Sequence, residues 1–534
     1  MRHVDQTSAL VWVQTDGPGT VGVLGATAAT FEVCGHHYAL VTVDRLEPDT
    51  TTEYHVELDG ERVWPPPDHP FPPPLIRARG PASARRLRAV FGSCRYPKTG
   101  EPKLDAKLGI DALDAYAAQA ATRPRDEWPD ALILLGDQVY ADELTPTARR
   151  ILATRRKVRA LGQCHPPDEV VSFDEYERLY RASWSDPAVR WLMSTVPTAM
   201  IFDDHDVRDD WNTSAAWRER MAATPWWRDR IRAALASYWV YQHLGNLSPG
   251  ELAADPDYRR VLAASGDRWA LLAELADRAD AERDGAKGAR FSFRWDLGRT
   301  RLVMADTRNG RIVHGGDRLM IGETEFGWLA ERAEADPAGM DHLVLGSSLP
   351  WLLPHAIGDL QSVNELAAAR RGWRGRLAEW LRQAADLEHW AAFARSFAQL
   401  TDLIRRVATG PEAPATVTVL SGDVHHSYAA RAALPAPVSA AVHQLVCSPV
   451  HNHVPRVIRP AFALGWSRVL SALTRRWALL RGVRPPSVSW TKISGPLFGN
   501  TIATMLVDGC AAEVLFEQPR EDGVLTEAAR LRLR

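Results

Sequence analysis

Six apolar runs in this chain end in the same manner. "LRAVFGSC", "DALILLGDQVY", "PTAMIFDDHD", "RLVMADTRNG", "HLVLGSSLP" and "ATVTVLSGDVHHS" pass abruptly from β-prone aliphatics to glycine, serine or residues able to bind a metal. Between some of them lie long stretches rich in Ala, Arg, Leu and Trp, at 144–195, 214–285 and 361–409, which read as helices. Short strands alternating with helices predict a layered α/β architecture. Sites in such folds lie at the carboxyl ends of strands. The polar clusters are therefore expected to meet at one edge of a sheet. The segment "WTKISGPLFGNTIATMLVDGCAAEVLFEQ" reads as further strands closing that sheet.

The chain before this region is different. Residues 1–64 hold short alternating runs, such as "ALVWVQT", "YALVTVDRL" and "EYHVELDG", with turn signals between them. They predict a small all-β domain. Residues 65–81 read as a stiff linker, because the seven prolines of 65–74 neither extend a helix nor pair in a sheet. The main domain is expected over 82–520. A length of 534 residues allows this division and a large core.

Composition narrows the classes. Net charge is −2, which gives no general attraction to nucleic acid. The five cysteines, at 34, 94, 164, 447 and 510, match neither a disulfide framework nor a zinc-finger spacing. No apolar run reaches the roughly 18 residues of a membrane span. The start "MRHVDQTSALVWVQTDG" shows no signal peptide, so a cytoplasmic location is expected. A stripe of Phe462, Trp466, Val469, Leu470, Leu473, Trp477 and Leu480 lies at helical spacing among arginines. Packing on the domain is the first expectation. A weak membrane or partner contact through 457–482 is the second. The many tryptophans of the insertions are read as packing residues.

The stretch "IFDDHDVRDDW" (201–211) crowds five aspartates and a histidine after a buried strand. Two carboxylates about 6 Å apart repel by roughly 3 kcal/mol at an effective dielectric of about 20. A nearby cation is the expected remedy. Asp204 reads as a metal ligand, His205 as a residue facing substrate, and Asp206 as the carboxylate orienting that imidazole. Asp209 and Asp210 read as loop or helix-start residues. Asn212 reads as an oxygen ligand or as the cap of a helix beginning near Thr213. In "LGDQVYAD", Asp137 sits after Gly136, where a carboxylate bridges two metals or merely closes a turn. Tyr140 offers a phenolate, a hard donor suited to ferric iron. Cys94 reads as a buried inert thiol or as a thiolate ligand. Asp423 and His425 of "SGDVHHS" read as two ligands on one loop, or as a surface turn.

Taken in order, "FGSC", "GDQVYAD", "DDHDVRDDWN", "DTRNG", "SGDVHHS" and "LFGN" resemble the alkaline phosphatase D (PhoD-like) family of calcineurin-like metallophosphoesterases, over roughly residues 86–515. The resemblance implies a metallophosphatase-like four-layer β-sandwich flanked by helices, preceded by a fibronectin-like β domain. It implies a ferric ion held by Cys94, Asp137, Tyr140 and His425. Asp137 would bridge to a second divalent ion, calcium by expectation and manganese or zinc by alternative, completed by Asp204 and Asp423. His205 would serve the leaving group, with Arg208 and Arg308 as phosphate clamps. The implied activity is hydrolysis of phosphomonoesters or phosphodiesters by a metal-bridging hydroxide. The alternative is a non-catalytic protein that keeps the fold. Ser347 and Ser348 stand where the superfamily usually carries a further histidine.

Overall fold

The computed structural model describes residues 1–534 except 159–164, 282–287, 315–317, 436 and 454–458. Cys164, parts of the first two helical insertions, and residues 457–458 of the expected contact segment lie outside the described residues.

Two mixed sheets face each other. One runs, in spatial order, Thr198–Ile201, Ala131–Leu135, Arg86–Gly92, Ile502–Asp508, Ala511–Pro519, Leu525–Arg532. Its first three strands are parallel and the rest antiparallel. The other runs Phe293–Leu297, Thr300–Ala305, His342–Ser347, Thr416–Ser421, Ala441–Val446, Ser427–Ala433, Ser489–Leu497. Four successive strands of it, from Thr300–Ala305 to Ala441–Val446, are parallel.

The side-chain period of two explains why these runs are apolar throughout. From Ala131–Leu135, Ala131, Ile133 and Leu135 enter the core between the sheets. Leu132 and Leu134 enter a second core with helices Ala112–Thr122 and Pro187–Thr195. The opposite sheet does the same. Leu302 and Met304 face inward, while Val303 and Ala305 meet helices Glu323–Glu334 and Ala394–Val407. Each fully buried aliphatic contributes about 1.5–3 kcal/mol. The result is four layers: helix, sheet, sheet, helix.

The N-terminal region is all-β, as expected, but it is not set apart. Along Ala9–Thr15, Ala9 and Val11 join the region's own core. Leu10, with Phe31, Tyr38 and Leu40, joins the main core. Trp12 donates its indole N–H to the Val240 carbonyl at 2.9 Å, and the hydroxyls of Tyr38 and Tyr241 are 2.9 Å apart. The proline-rich stretch is likewise packed rather than a spacer. Leu75–Ala78 pairs antiparallel with Thr50–Glu53. Phe71 stacks on Trp191, and the Trp191 N–H bonds the Pro72 carbonyl at 2.9 Å. Proline lacks a donor, but its carbonyl and the ring beside it still find partners.

The 462–480 stripe departs from its first expectation. Trp466 packs inward near Tyr428 and His355. Helix Arg468–Leu480, however, is pinned through Thr474 and Arg475, both bound to Asp359, and through buried Ala478. Those residues lie opposite Val469, Leu473 and Leu480, which stay exposed. Among the described residues, no helix is long and apolar enough to cross a membrane.

Candidate metal centre

The abrupt strand ends do converge. Cys94 follows Arg86–Gly92, Asp137 follows Ala131–Leu135, Asp203 and Asp204 follow Thr198–Ile201, and Asp423 and His425 follow Thr416–Ser421. Cys94, Asp137, Asp423 and His425 all hold positive φ, between 51° and 65°. Non-glycine residues rarely adopt this conformation, and it clusters where function fixes the backbone. Gly136 is required here: its φ is 114°, and a Cβ would lie 2.5 Å from that of Asp203.

Two groups of donors result. Cys94, Asp137 and His425 form one, and Asp137, Asp203 and Asp204 the other; within each, the ligand atoms lie within 4.8 Å of one another. Asp137 belongs to both. It is buried, its Oδ1 has no hydrogen-bond partner, and neither has Oδ2 of Asp203. Buried polar atoms left so cost free energy unless a cation meets them. The Tyr140 hydroxyl is 3.5 Å from Asp137 Oδ2 and accepts a hydrogen bond from Asn452 at 2.9 Å. The hydroxyls of Ser93 and Ser448 are each 3.3 Å from Cys94 Sγ. Burial pushes Cys94, Asp137 and Tyr140 above their ordinary pKa values; nearby acids add to it, while His205 opposes it at Asp137. Thiol, phenol, imidazole and carboxylates packed this closely fit a metal cation, which would hold the acidic donors in their anionic forms.

Arg308 joins the second group. It has no exposed surface and bonds Asp203 through Nε and Glu388 through one terminal nitrogen. Its other terminal nitrogen lies 3.1 Å from both Asp204 and Asp423. Burial alone would lower its pKa, but Asp203, Asp204, Glu388 and Asp423 raise it.

His205 stands on the more open side, its ring centroid 4.9 Å from that of Tyr140. Its Nδ1 lies 3.0 Å from Asp142 Oδ1, and Asp142 Oδ2 accepts the Asp209 amide at 2.6 Å. Burial opposes charge on both groups; their mutual attraction outweighs it, raising His205 and lowering Asp142 to about 2.

The PhoD-like phosphatase profile matches residues 110–460. The chain belongs to the PhoD-like phosphatase family. Residues 1–76 match a domain of unknown function, DUF7800. A solved structure of PhoD aligns with 99% of this chain and 87% of its own, at 12% identity and a TM-score of 0.58, which supports the fold. A dimetal phosphatase from Danio rerio covers 84% of this chain and 98% of its own, at 10% identity and a TM-score of 0.34, too loose to bear on the argument. No curated protein matches the chain. Membership makes the chain a phosphatase-class hydrolase, and the two donor groups fit its dependence on metal.

Several residues of this PhoD-like phosphatase lie elsewhere than their spacing suggests. Asp206 does not orient His205. Its carboxylate accepts the amides of Gln138 and Val139 at 3.1 Å and of Asp203 at 2.9 Å, stapling two ligand loops together. Asp142 takes the orienting place. Arg308 is internal rather than facing a substrate phosphate. Arg208 reaches Glu169 at 3.1 Å and lies over Trp226, on the helical insertion. Asn212 does not cap the next helix: Ser214 does, accepting the Trp217 amide at 3.1 Å. Asn212 instead donates to the Arg308 carbonyl at 3.0 Å. The Ser347 hydroxyl donates to the Leu349 carbonyl at 2.7 Å and the Ser348 hydroxyl lies 3.0 Å from that of Thr307, while the Ser348 carbonyl accepts the amide of Gly422, just before Asp423, at 2.9 Å.

Glu388, His389 and Asn452 went unnoticed in the sequence. His389 Nε2 is 2.7 Å from Asp423 Oδ2, and its Nδ1 is held by Gln361 at 2.8 Å. Burial pushes Asp423 up, but His389 and Arg308 outweigh it and hold the carboxylate below its ordinary range. "LEHW" carries no strand-end signal, only a histidine and an acid in a helical insertion.

Proposed function

We propose that this chain hydrolyses phosphate esters at a two-metal centre. The first cation, a ferric ion, would be held by Cys94, Asp137, Tyr140 and His425. Thiolate and phenolate donors favour it. The second, calcium, would be held by Asp137, Asp204 and Asp423, with Asp203 as a further oxygen donor. When bound, the pair activates water and neutralises phosphoryl oxygens. His205 would present Nε2 to the leaving oxygen while Asp142 secures Nδ1, so the proton would be delivered from a fixed ring edge. Arg308 balances the acids from within. The observation that carries the reading is Asp137: one buried carboxylate, shared by two donor groups, with an oxygen no protein group satisfies.

Metal analysis and hydrolysis of nitrophenyl phosphate and bis(nitrophenyl) phosphate test it. Asp137→Asn is expected to lose both metals together and almost all turnover. Full occupancy of one metal with normal turnover in that variant would refute the bridging role.

A further inference from the structure

Thirteen of the eighteen exposed large apolar side chains among the described residues fall on one set of adjoining helices. Helices Trp373–Ala384 and Arg468–Leu480 both pack on His355–Ala368, and the short helix Arg459–Gly465 precedes the second. Trp373 and Trp380 are 64% and 63% exposed, Val469 and Leu480 72% and 79%. A water-facing surface gains nothing from such residues. Their setting is cationic. Residues 459–484 carry six arginines and no acid, and Arg370, Arg371, Arg374 and Arg376 surround the first exposed tryptophan. Arg468, Arg476, Arg481 and Arg484 are exposed beside the leucines. A cavity of about 430 Å³ opens at the Trp373 end, lined by Arg318, Arg370, Arg376 and Arg382 with Glu379 as its acid.

We infer that this helical face docks on an anionic lipid surface, lying on the bilayer rather than crossing it. Exposed tryptophan and leucine match the acyl–headgroup boundary, and the arginines match headgroup phosphates. The whole protein is weakly acidic, with a net charge of −2, so the positive field is local to this face and not a property of the chain. The same helices border the metal centre: Phe462 lies 4.5 Å from the ring of His426, and Gln361 holds His389. Docking would therefore bring the centre close to the lipid–water boundary. The inference stands on this surface alone and survives any outcome at the metals.

The test is co-sedimentation of the full chain with vesicles of phosphatidylcholine, with and without phosphatidylglycerol. The expected result is binding only to the anionic vesicles, weakening as salt rises. Val469→Ser, Leu473→Ser and Leu480→Ser combined should weaken it about tenfold or more. Arg476→Gln with Arg481→Gln should weaken it and flatten its salt dependence. None of these side chains belongs to the two donor groups or to their hydrogen-bond partners, so hydrolysis of a soluble nitrophenyl ester should be unchanged, which also reports folding. No pelleting with either vesicle, or pelleting that ignores the apolar substitutions, would overturn the inference. So would a dimer that these substitutions dissociate and that binds no vesicles, because the occupant would then be a second copy.

Discussion

The imidazole of His205 has one nitrogen committed to Asp142, and that asymmetry makes its role measurable. If Nε2 supplies the leaving group's proton, His205→Ala should lower kcat by roughly 10²–10⁴-fold while metal content holds. The loss should shrink for nitrophenol, which needs little protonation, and grow for alkyl alcohols. Equal losses for both would limit His205 to positioning phosphate, and a lost metal would make it a ligand. Asp142→Asn should give a smaller loss of kcat with KM little changed, partly restored by Asp142→Glu. Tyr140 permits a second test. A phenolate on ferric iron absorbs visible light, so the protein should be coloured. Tyr140→Phe should change that band with iron still bound, since the ring keeps its place against Tyr96 and His205. Cys94 adds its own absorption, so the comparison of the two proteins is the readout, not the colour itself. An unchanged spectrum would leave Tyr140 a packing residue.

Strands advertise themselves better than the helices that serve them. An all-buried run such as Ala131–Leu135 that stops at glycine and aspartate reveals both its place and its chemistry, because a buried strand end has few other uses for a carboxylate. Candidate donors at four such ends were legible for that reason, and the family resemblance supplied the full ligand set. Asp206 was misread because neighbours in sequence look like partners: it follows His205 by one residue, yet the loop carries it under the strand ends while Asp142 arrives from another loop. Glu388 and His389 were illegible because helical periodicity at 361–409 reports packing alone, and only the folded insertion brings them to Asp423. Arg308 ties these elements together, meeting carboxylates from two strand ends and the insertion. Arg308→Met should leave those acids facing one another without a partner. Removing one member of a buried ion cluster costs about 3–5 kcal/mol. The midpoint of urea unfolding should fall, and a chelator should widen the gap from wild type, because metal and arginine share the neutralisation. An unchanged midpoint in chelator would show that Arg308 is not the counter-charge.

At the scale of the whole molecule, the N-terminal β region was legible as strands but not as part of the main core. Alternation in "ALVWVQT" tells that two faces exist, not that the second is covered by a distant helix. Here it is covered: Leu10, Phe31, Tyr38 and Leu40 sit among Phe173, Tyr180 and Tyr241. The first residues are embedded as well. The terminal amino group bonds the Met193 carbonyl at 2.6 Å, and Arg2 bonds the Gln242 carbonyl at 2.6 Å. Gln242 in turn bonds Tyr180 at 3.0 Å and lies 3.4 Å from Asp206, the carboxylate that staples the ligand loops. A fragment beginning near residue 82 would thus expose a continuous aromatic surface, each side chain forfeiting about 1.5–3 kcal/mol of burial. It would also free the wall behind Asp206. The fragment is expected to aggregate, or to fold with weakened metal binding. Covering the exposed face in trans separates these outcomes from simple truncation damage: co-expression with residues 1–81 should restore solubility and metal together. A soluble fragment with full metal content on its own would show that the shared core is dispensable and that the centre is built by the two large sheets alone.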